Sequence, residues 1–373
     1  MVTKGFSAPE VERTYARAQD LCQQLGDTPQ LFQVLRGLWR FYQVGKSLQT
    51  AHALAAQCFS LAQRLQDVAC LLEAHEVLGI TLYHLGEWVP ARTHFEQGMA
   101  LYDPQQHRSL AFLYGEDPGV ACLSRTAHVL WMLGYPEQAL ERIRSVRTLT
   151  RDLSHPFSLG YALVFAALLH YFRQEGQAAQ EQAEAAMTLA TEHGFAHWLA
   201  QATILRGWAL AAQGGGAEAI TQMRQNLATL RAIGSEVGRP WMLAMLAEAY
   251  GRSGQAEPGL QVLAEAPALM DRTGERCWEA ELYRLQGGLL LQQTIPDEQQ
   301  AEVCFQQALA VARRQQAKSL ELRVVISLAR LLLRQGKRNA AHELLAEVYG
   351  WFAEGFDTAD LQEARTLLEE LTV

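Results

Sequence analysis

The sequence predicts an all-α chain: an α-solenoid of about eight antiparallel helix pairs, wound into a right-handed superhelix and closed by a C-terminal capping helix. Three observations predict it. Ala, Leu, Gln, Glu and Arg dominate a composition that favours helices. Glycines recur at a near-constant interval, with turn glycines at Gly45, Gly86, Gly134, Gly176, Gly214, Gly254 and Gly336, and helix-ending glycines at Gly194, Gly234 and Gly274, 40 residues apart. A sustained period of this kind comes from stacked supersecondary units, not from independent globular domains. One unit, read in full, supplies the third observation. Leu328, Ala329 and Leu332 share a helix face, Gly336 ends that helix, and Ala341 and Leu345 lie on the inner face of a second helix running back. Small side chains let two backbones approach, and the large ones fill the space beside them.

Taken in order, the first helix spans roughly residues 8 to 25, with Val11, Tyr15 and Ala18 on one face and a stop at Gly26. It has the pattern of a second helix without a first before it. Asp27-Thr28-Pro29 opens a helix through Trp39 and Tyr42 to Gly45, and its partner runs through Ala51, Ala55 and Leu61. In the next pair Leu78, Gly79, Leu82, Gly86, Ala91 and Phe95 match the tetratricopeptide spacing. The longest connection, Tyr102 to Gly119, follows. Later pairs carry Ala127, Leu130 and Ala139; then Leu169 to Gly194; then Gly207, Leu210, Ala219 and Met223; then Leu246, Ala247, Tyr250, Leu263 and Ala266. The seventh has Gly287 and Leu290, a loop at Thr294-Ile295-Pro296-Asp297 in place of a turn glycine, then Ala301, Phe305 and Ala308. Pro29, Pro136, Pro156 and Pro240 stand at helix starts, where a missing N–H costs nothing. Pro267 falls inside a helix and predicts a kink or an early stop. Asp357 reads as the N-cap of a closing helix through Leu361, Leu367 and Leu371, with Asp360, Glu363, Glu369 and Glu370 on a solvated face. The whole reads as one domain, 1–373, with an orphan helix (1–26), helix-pair repeats (27–356) and a cap (357–373).

Composition narrows the function classes. The N-terminus Met1-Val2-Thr3-Lys4 is not a signal peptide, and no 18-residue apolar run suggests a membrane span. Cys22, Cys58, Cys70, Cys122, Cys277 and Cys304 show no CxxC pairing and sit among apolar neighbours, which reads as buried free thiols in a reducing cytoplasm. A net charge of −8 argues against general nucleic-acid binding. The basic block Arg313, Arg314, Lys318, Arg323, Arg330, Arg334, Lys337 and Arg338 reads as a solvated face balanced by the acidic cap. Val44-Gly45-Lys46-Ser47 imitates the end of a phosphate loop, but Arg40 stands where its first glycine belongs, so a repeat turn is the better reading. His193 and His197 flank Gly194 and do not share a helical face, which argues against a metal site there. The sequence calls for no cofactor.

Several stretches resemble a known family. Tyr283-Arg284-Leu285, residues 317–323 (AKSLELR), residues 351–357 (WFAEGFD), His107-Arg108-Ser109-Leu110, Gly134-Tyr135-Pro136 and residues 155–159 (HPFSL) are similar to the C-terminal tetratricopeptide-like repeat region of large bacterial signalling proteins. In that family a class III adenylate/guanylate cyclase domain and an AAA-type ATPase module precede the repeats. The resemblance extends over essentially the whole chain and implies a regulatory, partner-sensing arm. The cyclase and ATPase parts are missing here, so neither activity carries over.

In stacked helix pairs the first helix of each pair lines the concave surface. The residue after the small packing position should point into it: Trp39, Ile80, His128, His170, Trp208, Glu248, Gly288 and Arg330, with Tyr42, Tyr83, Trp131 and Arg173 one turn on. Aromatics and charges at such positions suit capture of a protein or peptide partner. The competing reading buries these aromatics in a tightly coiled core. A second function class is an all-α helical-toroid enzyme such as a glycosidase, which needs two converging carboxylates. Glu116 and Asp117 are the candidates, and adjacent residues do not face each other across a substrate. Non-catalytic binding is therefore the favoured reading. The uncovered face of the first helix further implies either a longer polypeptide or self-association through that helix.

Two measurements check this reading. Ala219→Arg or Ala341→Arg should unfold at least the local pair, since overpacking costs about 1–3 kcal/mol and an unpaired buried charge adds to it. A melting curve unchanged by either substitution would show the helix register to be wrong. In hydrogen exchange the first helix should open well before the pairs between residues 240 and 350, because each repeat is held by its neighbours. Uniform protection from residue 8 onward, in a chain that stays monomeric at high concentration, would contradict that.

Overall fold

The computed structural model describes residues 9–23, 26–45 and 47–372, and the described residues form twenty helices and no strand. Helix α1 (Pro9–Gln23) precedes the pair α2 (Pro29–Gly45) and α3 (Leu48–Leu65), then α4 (Val68–Leu85) and α5 (Trp88–Leu101). A short α6 (Pro104–Tyr114) leads to α7 (Pro118–Met132) and α8 (Pro136–Leu153), α9 (Pro156–Phe172) and α10 (Gly176–His193), and α11 (Ala196–Ala212) and α12 (Gly216–Ala232). Next, α13 (Arg239–Arg252) pairs with the split helix α14 (Ala256–Leu263) and α15 (Ala266–Thr273). The array ends with α16 (Glu279–Leu290) and α17 (Glu298–Arg314), α18 (Lys318–Arg334) and α19 (Arg338–Tyr349), and the cap α20 (Ala359–Thr372). The chain is a tetratricopeptide-like α-solenoid, as its periodicity predicts. A turn between helices stands at Val44–Ser47: the Ser47 hydroxyl caps α3 by accepting from the Thr50 N–H, while Lys46 lies outside the described residues.

Within a pair, the small-against-large rule has a physical form. A Cβ placed on Gly79 would lie 2.5 Å from the Phe95 ring, one on Gly207 2.4 Å from Met223, and one on Gly287 2.6 Å from Phe305. The same position in three repeats is glycine because the facing large side chain occupies the methyl's place.

Some local expectations change. Pro267 does break its helix: α14 stops at Leu263 and α15 restarts with the proline in its first turn, where no N–H is required. The connection from Tyr102 to Gly119 holds α6. Asp103 caps it by accepting from the Gln105 and Gln106 N–H groups, Pro104 follows, and Gly115 closes it at φ 93°. The left-handed turn residue between α9 and α10 is Gln174, at φ 59°, and Gly176 instead opens α10. Thr358, not Asp357, immediately precedes α20, and its hydroxyl donates back to the Gly355 carbonyl. Asp360 is not solvated but faces Arg323 at 2.9 Å. The described cysteines Cys58, Cys70, Cys122, Cys277 and Cys304 are free and buried; the Cys22 side chain lies outside the described residues, as does that of Val11. Burial pushes the Cys58 and Cys70 thiols up to about 12. Helix α4 is apolar and long enough to cross a bilayer, but most of it is packed inside the solenoid.

The superhelix coils until it touches itself. The Val44 carbonyl, at the end of α2, accepts from the Glu236 and Val237 N–H groups at 3.0 Å each. One repeat on, the His84 carbonyl near the end of α4 accepts from the Arg276 and Cys277 N–H groups. Two repeats on, the Trp131 carbonyl in α7 accepts from the Ser319 hydroxyl. The last two contacts join residues about 190 positions apart, 191 for the neighbouring His84–Glu275 pair and 188 for Ser319–Trp131. The last carbonyls of a helix have no partner within it, and here the next turn of the superhelix supplies one. A further clasp closes the C-terminal end, where Gly355 N–H donates to Glu137 and Glu354 accepts from the Glu137 and Gln138 N–H groups. The register of these contacts advances along both segments together, so among the described residues the chain winds past itself.

That clasp requires glycine at 355, which holds φ 77° and leaves a would-be Cβ 2.1 Å from Pro136. Gly355→Ala should cost about 1–3 kcal/mol from strain and overpacking, read as a lower urea midpoint. An unchanged midpoint would mean that the clasp is open in solution.

Candidate functional site

Because successive turns touch, the inner face of the first helices is an interior. Trp39, Ile80, Tyr83, His128, Trp131 and Trp208 are all buried, which corrects the expectation that they line an open groove. They join one first helix to the next. Trp39 Nε1–H donates to Thr81, and the Tyr83 hydroxyl donates to His128 Nδ1, whose Nε2–H donates to the Phe165 carbonyl. Arg323 lays its guanidinium 4.8 Å from the Trp131 ring centroid and donates to the Phe172 carbonyl. Arg173 is buried too, held by Glu175 at 2.7 Å and the Pro136 carbonyl at 3.0 Å. The remaining expected residues sit at the edges. Tyr42 bonds Glu12, His170 bonds Glu175, Glu248 pairs with Arg252, and Arg330 is exposed beside Glu363. Gly288 faces open space, with nothing within 4 Å of its Cβ position. The expected groove residues are thus brought together in part, and mostly as core.

Two buried polar groupings went unseen in the sequence. In the first, Arg36 ion-pairs with Glu73 and approaches Glu76 at 3.5 Å and Glu116 at 3.8 Å, under the Tyr114 ring, while Arg40 pairs with Glu116 at 2.6 Å. Burial pushes the Glu73 carboxyl well above its ordinary range and raises that of Glu76. This network ties α2 and α4 to the segment after α6. It engages Glu116, while Asp117 caps α7 by accepting from the Val120 N–H and from the Tyr102 hydroxyl. Both carboxylates of the glycosidase reading are buried, Glu116 at 2% and Asp117 at 0% exposure.

In the second grouping, His84 Nδ1 and Cys277 Sγ lie 3.2 and 3.4 Å from Glu275 Oε1. Such separations approach the ~3.3–3.6 Å edges of a tetrahedral zinc site. However, His84 Nε2 faces the Arg125 guanidinium at 3.5 Å. That nitrogen must be the acceptor, so Nδ1 keeps the proton that it gives to Glu275. A metal on Nδ1 would turn an Nε2–H toward a cation, the opposite of what ligating histidines require. The trio is a hydrogen-bonded latch between turns.

Beside the latch, where α2, α4, α7, α9 and α11 converge, a recess of about 60 Å³ remains on the superhelix axis. Phe157, Tyr161 and Phe165 form one wall, and Val237, Trp241 and Trp278 from the next turn cover it. Arg40, Arg125, Gln43, His197 and Gln201 supply its polar atoms. Burial, with Arg40 adding to it, holds the His197 imidazole down at about 4, so it is neutral at pH 7. None of the recess residues except Tyr83 was singled out from the groove positions; the covering segment lies nearly 200 residues from α2, and no local pattern signals that approach. The basic block at residues 313–338 is largely neutralised: Arg313 and Lys318 pair with Glu321, Arg314 with Glu279, Arg323 with Asp360 and Arg330 with Glu363.

No family model matches the chain. A curated relative, an uncharacterized protein of Rhizobium meliloti (strain 1021), is 24% identical over 285 residues, 76% of this chain. The chain spans 27% of that relative's length. Among solved structures, a Rap protein complexed with competence and sporulation factor superposes with a TM-score of 0.65 at 11% identity, over 98% of this chain and 96% of that one. The Rap conjugation gene regulator of plasmid pLS20, in complex with the Phr* peptide, gives 0.55 at 11% identity, over 98% and 96%. The Cut9–Hcn1 hetero-tetramer of the APC/C gives 0.56 at 13% identity, covering 100% of this chain and 61% of that one. The likeness is one of fold.

Burial predicts two outcomes. Trp131→Ala and Trp208→Ala should each cost about 3–5 kcal/mol of stability, as large buried aromatics do, measured by urea unfolding. A cost below 1 kcal/mol would put them back at a free surface. His128 is held at about 3 and His197 at about 4 by burial, whereas in the unfolded chain both titrate near 6.5. Below pH ~6.5 the unfolded chain therefore binds protons that the folded chain does not, and stability falls with pH until about 3–4. Parent protein should lose stability more steeply over that window than His128→Gln; equal slopes would contradict the assignment.

Proposed function

We propose that the chain is a non-catalytic, cytoplasmic interaction or ligand-sensing arm whose axial face receives a protein or peptide partner, as in the repeat region of the bacterial cyclase/ATPase signalling proteins that its sequence resembles. The observation that carries this reading is the axial recess: five consecutive first helices converge on one polar-and-aromatic space, and a segment from the next superhelical turn covers it. A partner that enters between the turns would exchange the inter-turn contacts for its own, so occupancy and superhelical pitch become linked. Two proteins of the same fold are described with a factor or a peptide bound. A relative nearly four times as long as the matched part accords with an arm that works inside a larger protein. The glycosidase alternative lacks support, since Glu116 and Asp117 are spent on Arg40 and on the α7 cap.

Trp198, Trp241 and Trp278 line the recess and report on it. Titration of the protein with pools of synthetic pentapeptides should give a saturable change in tryptophan emission for at least one pool. Absence of any change across the pools, or turnover of a nitrophenyl glycoside, would overturn the reading.

A further inference from the structure

Arg125 is distinguished by what it lacks. Five arginines are buried among the described residues, and four of them, Arg36, Arg173, Arg239 and Arg323, ion-pair with carboxylates. Arg125, 6% exposed, has no carboxylate partner among the described residues. Its Nε–H donates to the Tyr161 hydroxyl at 2.8 Å, Nη1 faces His84, and the Tyr83 and Phe165 rings lie 4.9 Å from its central carbon. Glu275, the acid behind His84, is already satisfied by the Gly238 N–H, His84 and the Cys277 thiol. Arg40, the other cation at the recess, has Glu116. A buried charge without an ion-pair partner is costly, and a ligand that supplies one would offset that cost.

Two more groups point the same way. Gln43 Oε1 and Trp198 Nε1–H line this recess, both are buried, and neither has a hydrogen-bond partner. The open valences are therefore the Nη2 edge of the guanidinium, one indole donor and one amide acceptor. A volume of about 60 Å³ holds roughly four to six waters, the size of a carboxylate with one or two carbons.

We propose that the axial recess binds a carboxylate, either the C-terminus of a peptide or a small free acid, through Arg125. This deepens the binding function proposed above and rests on it where the source is a peptide. The carboxylate accepts from Arg125 and from the Trp198 indole, and an N–H or O–H on the adjacent carbon donates to Gln43. Charge-assisted pairing in a water-poor space gives the selectivity for an anion. His84 and His197 are kept neutral by burial and add no competing charge.

The test uses the whole chain and the indole N–H resonance of Trp198. Glycolate and propionate should shift it saturably, propionamide and equal chloride should not, and Arg125→Met should weaken binding by about tenfold or more. The substitution removes an unpaired charge, so its melting temperature should stay level or rise. Pentapeptides with free and amidated C-termini separate the sources: binding lost on amidation assigns a peptide terminus, and binding by the small acids alone assigns a free acid. No saturable shift by any carboxylate, or equal binding by Arg125→Met, overturns the proposal. Amidated and free peptides that bind equally would overturn it too while leaving peptide binding intact, whereas acids that bind where no peptide does would sink the peptide reading alone.

Discussion

The structure depends on one recurrent interaction: helix-terminal carbonyls satisfied by the next turn of the superhelix. Val44, His84 and Trp131 each end or nearly end a first helix, and each carbonyl meets a donor from a segment about 190 residues later. In an open solenoid such carbonyls face water. Here they hold two turns in register, and the enclosed side chains follow from that. Once α18 and the segments that lead into α13 and α16 sit against α7, α2 and α4, that part of the inner face is covered, and aromatics there pack as core.

Enclosure also explains the charges. A tight superhelix buries polar residues that an open one would leave wet, and buried charges must be paired. Arg36 and Arg40 gather Glu73, Glu76 and Glu116; Arg323 joins Asp360 of the cap to the Phe172 carbonyl of an earlier turn. These pairs act less as sources of stability than as fixed registers: most join neighbouring repeats, and the Arg323 bond to Phe172 would be lost if one turn shifted on the other. Against that background the unpaired Arg125, Gln43 and Trp198 stand out as a set in one place.

Under the proposed function, folding and binding would be coupled. The covering segment that carries Gly238, Trp241 and Trp278 belongs both to the inter-turn contact and to the recess. Any ligand that seats beside Arg125 touches the surface that decides how closely the turns approach. A sensing arm needs such a link between a small site and a long-range arrangement, and a solenoid built from nearest-neighbour contacts transmits it along its length.

The sequence by itself determined the repeat. Gly79 against Phe95, Gly287 against Phe305 and the break at Pro267 were legible because each depends on residues within one pair, at separations fixed by helical geometry. Helix α6 was marked by Asp103-Pro104 and Gly115, signals that a connection and a short helix share. Only the tertiary structure decided whether the inner face was groove or core. That choice turns on the superhelical pitch, the sum of small rotations over some five repeats, and no local pattern encodes it. Trp39, Tyr83, His128, Trp131 and Trp208 look alike at one repeat's range whether they meet solvent or the next turn. The latch of His84 with Glu275 and the bond from Arg323 to the Phe172 carbonyl are long-range for the same reason: they form only after the chain has wound back upon itself.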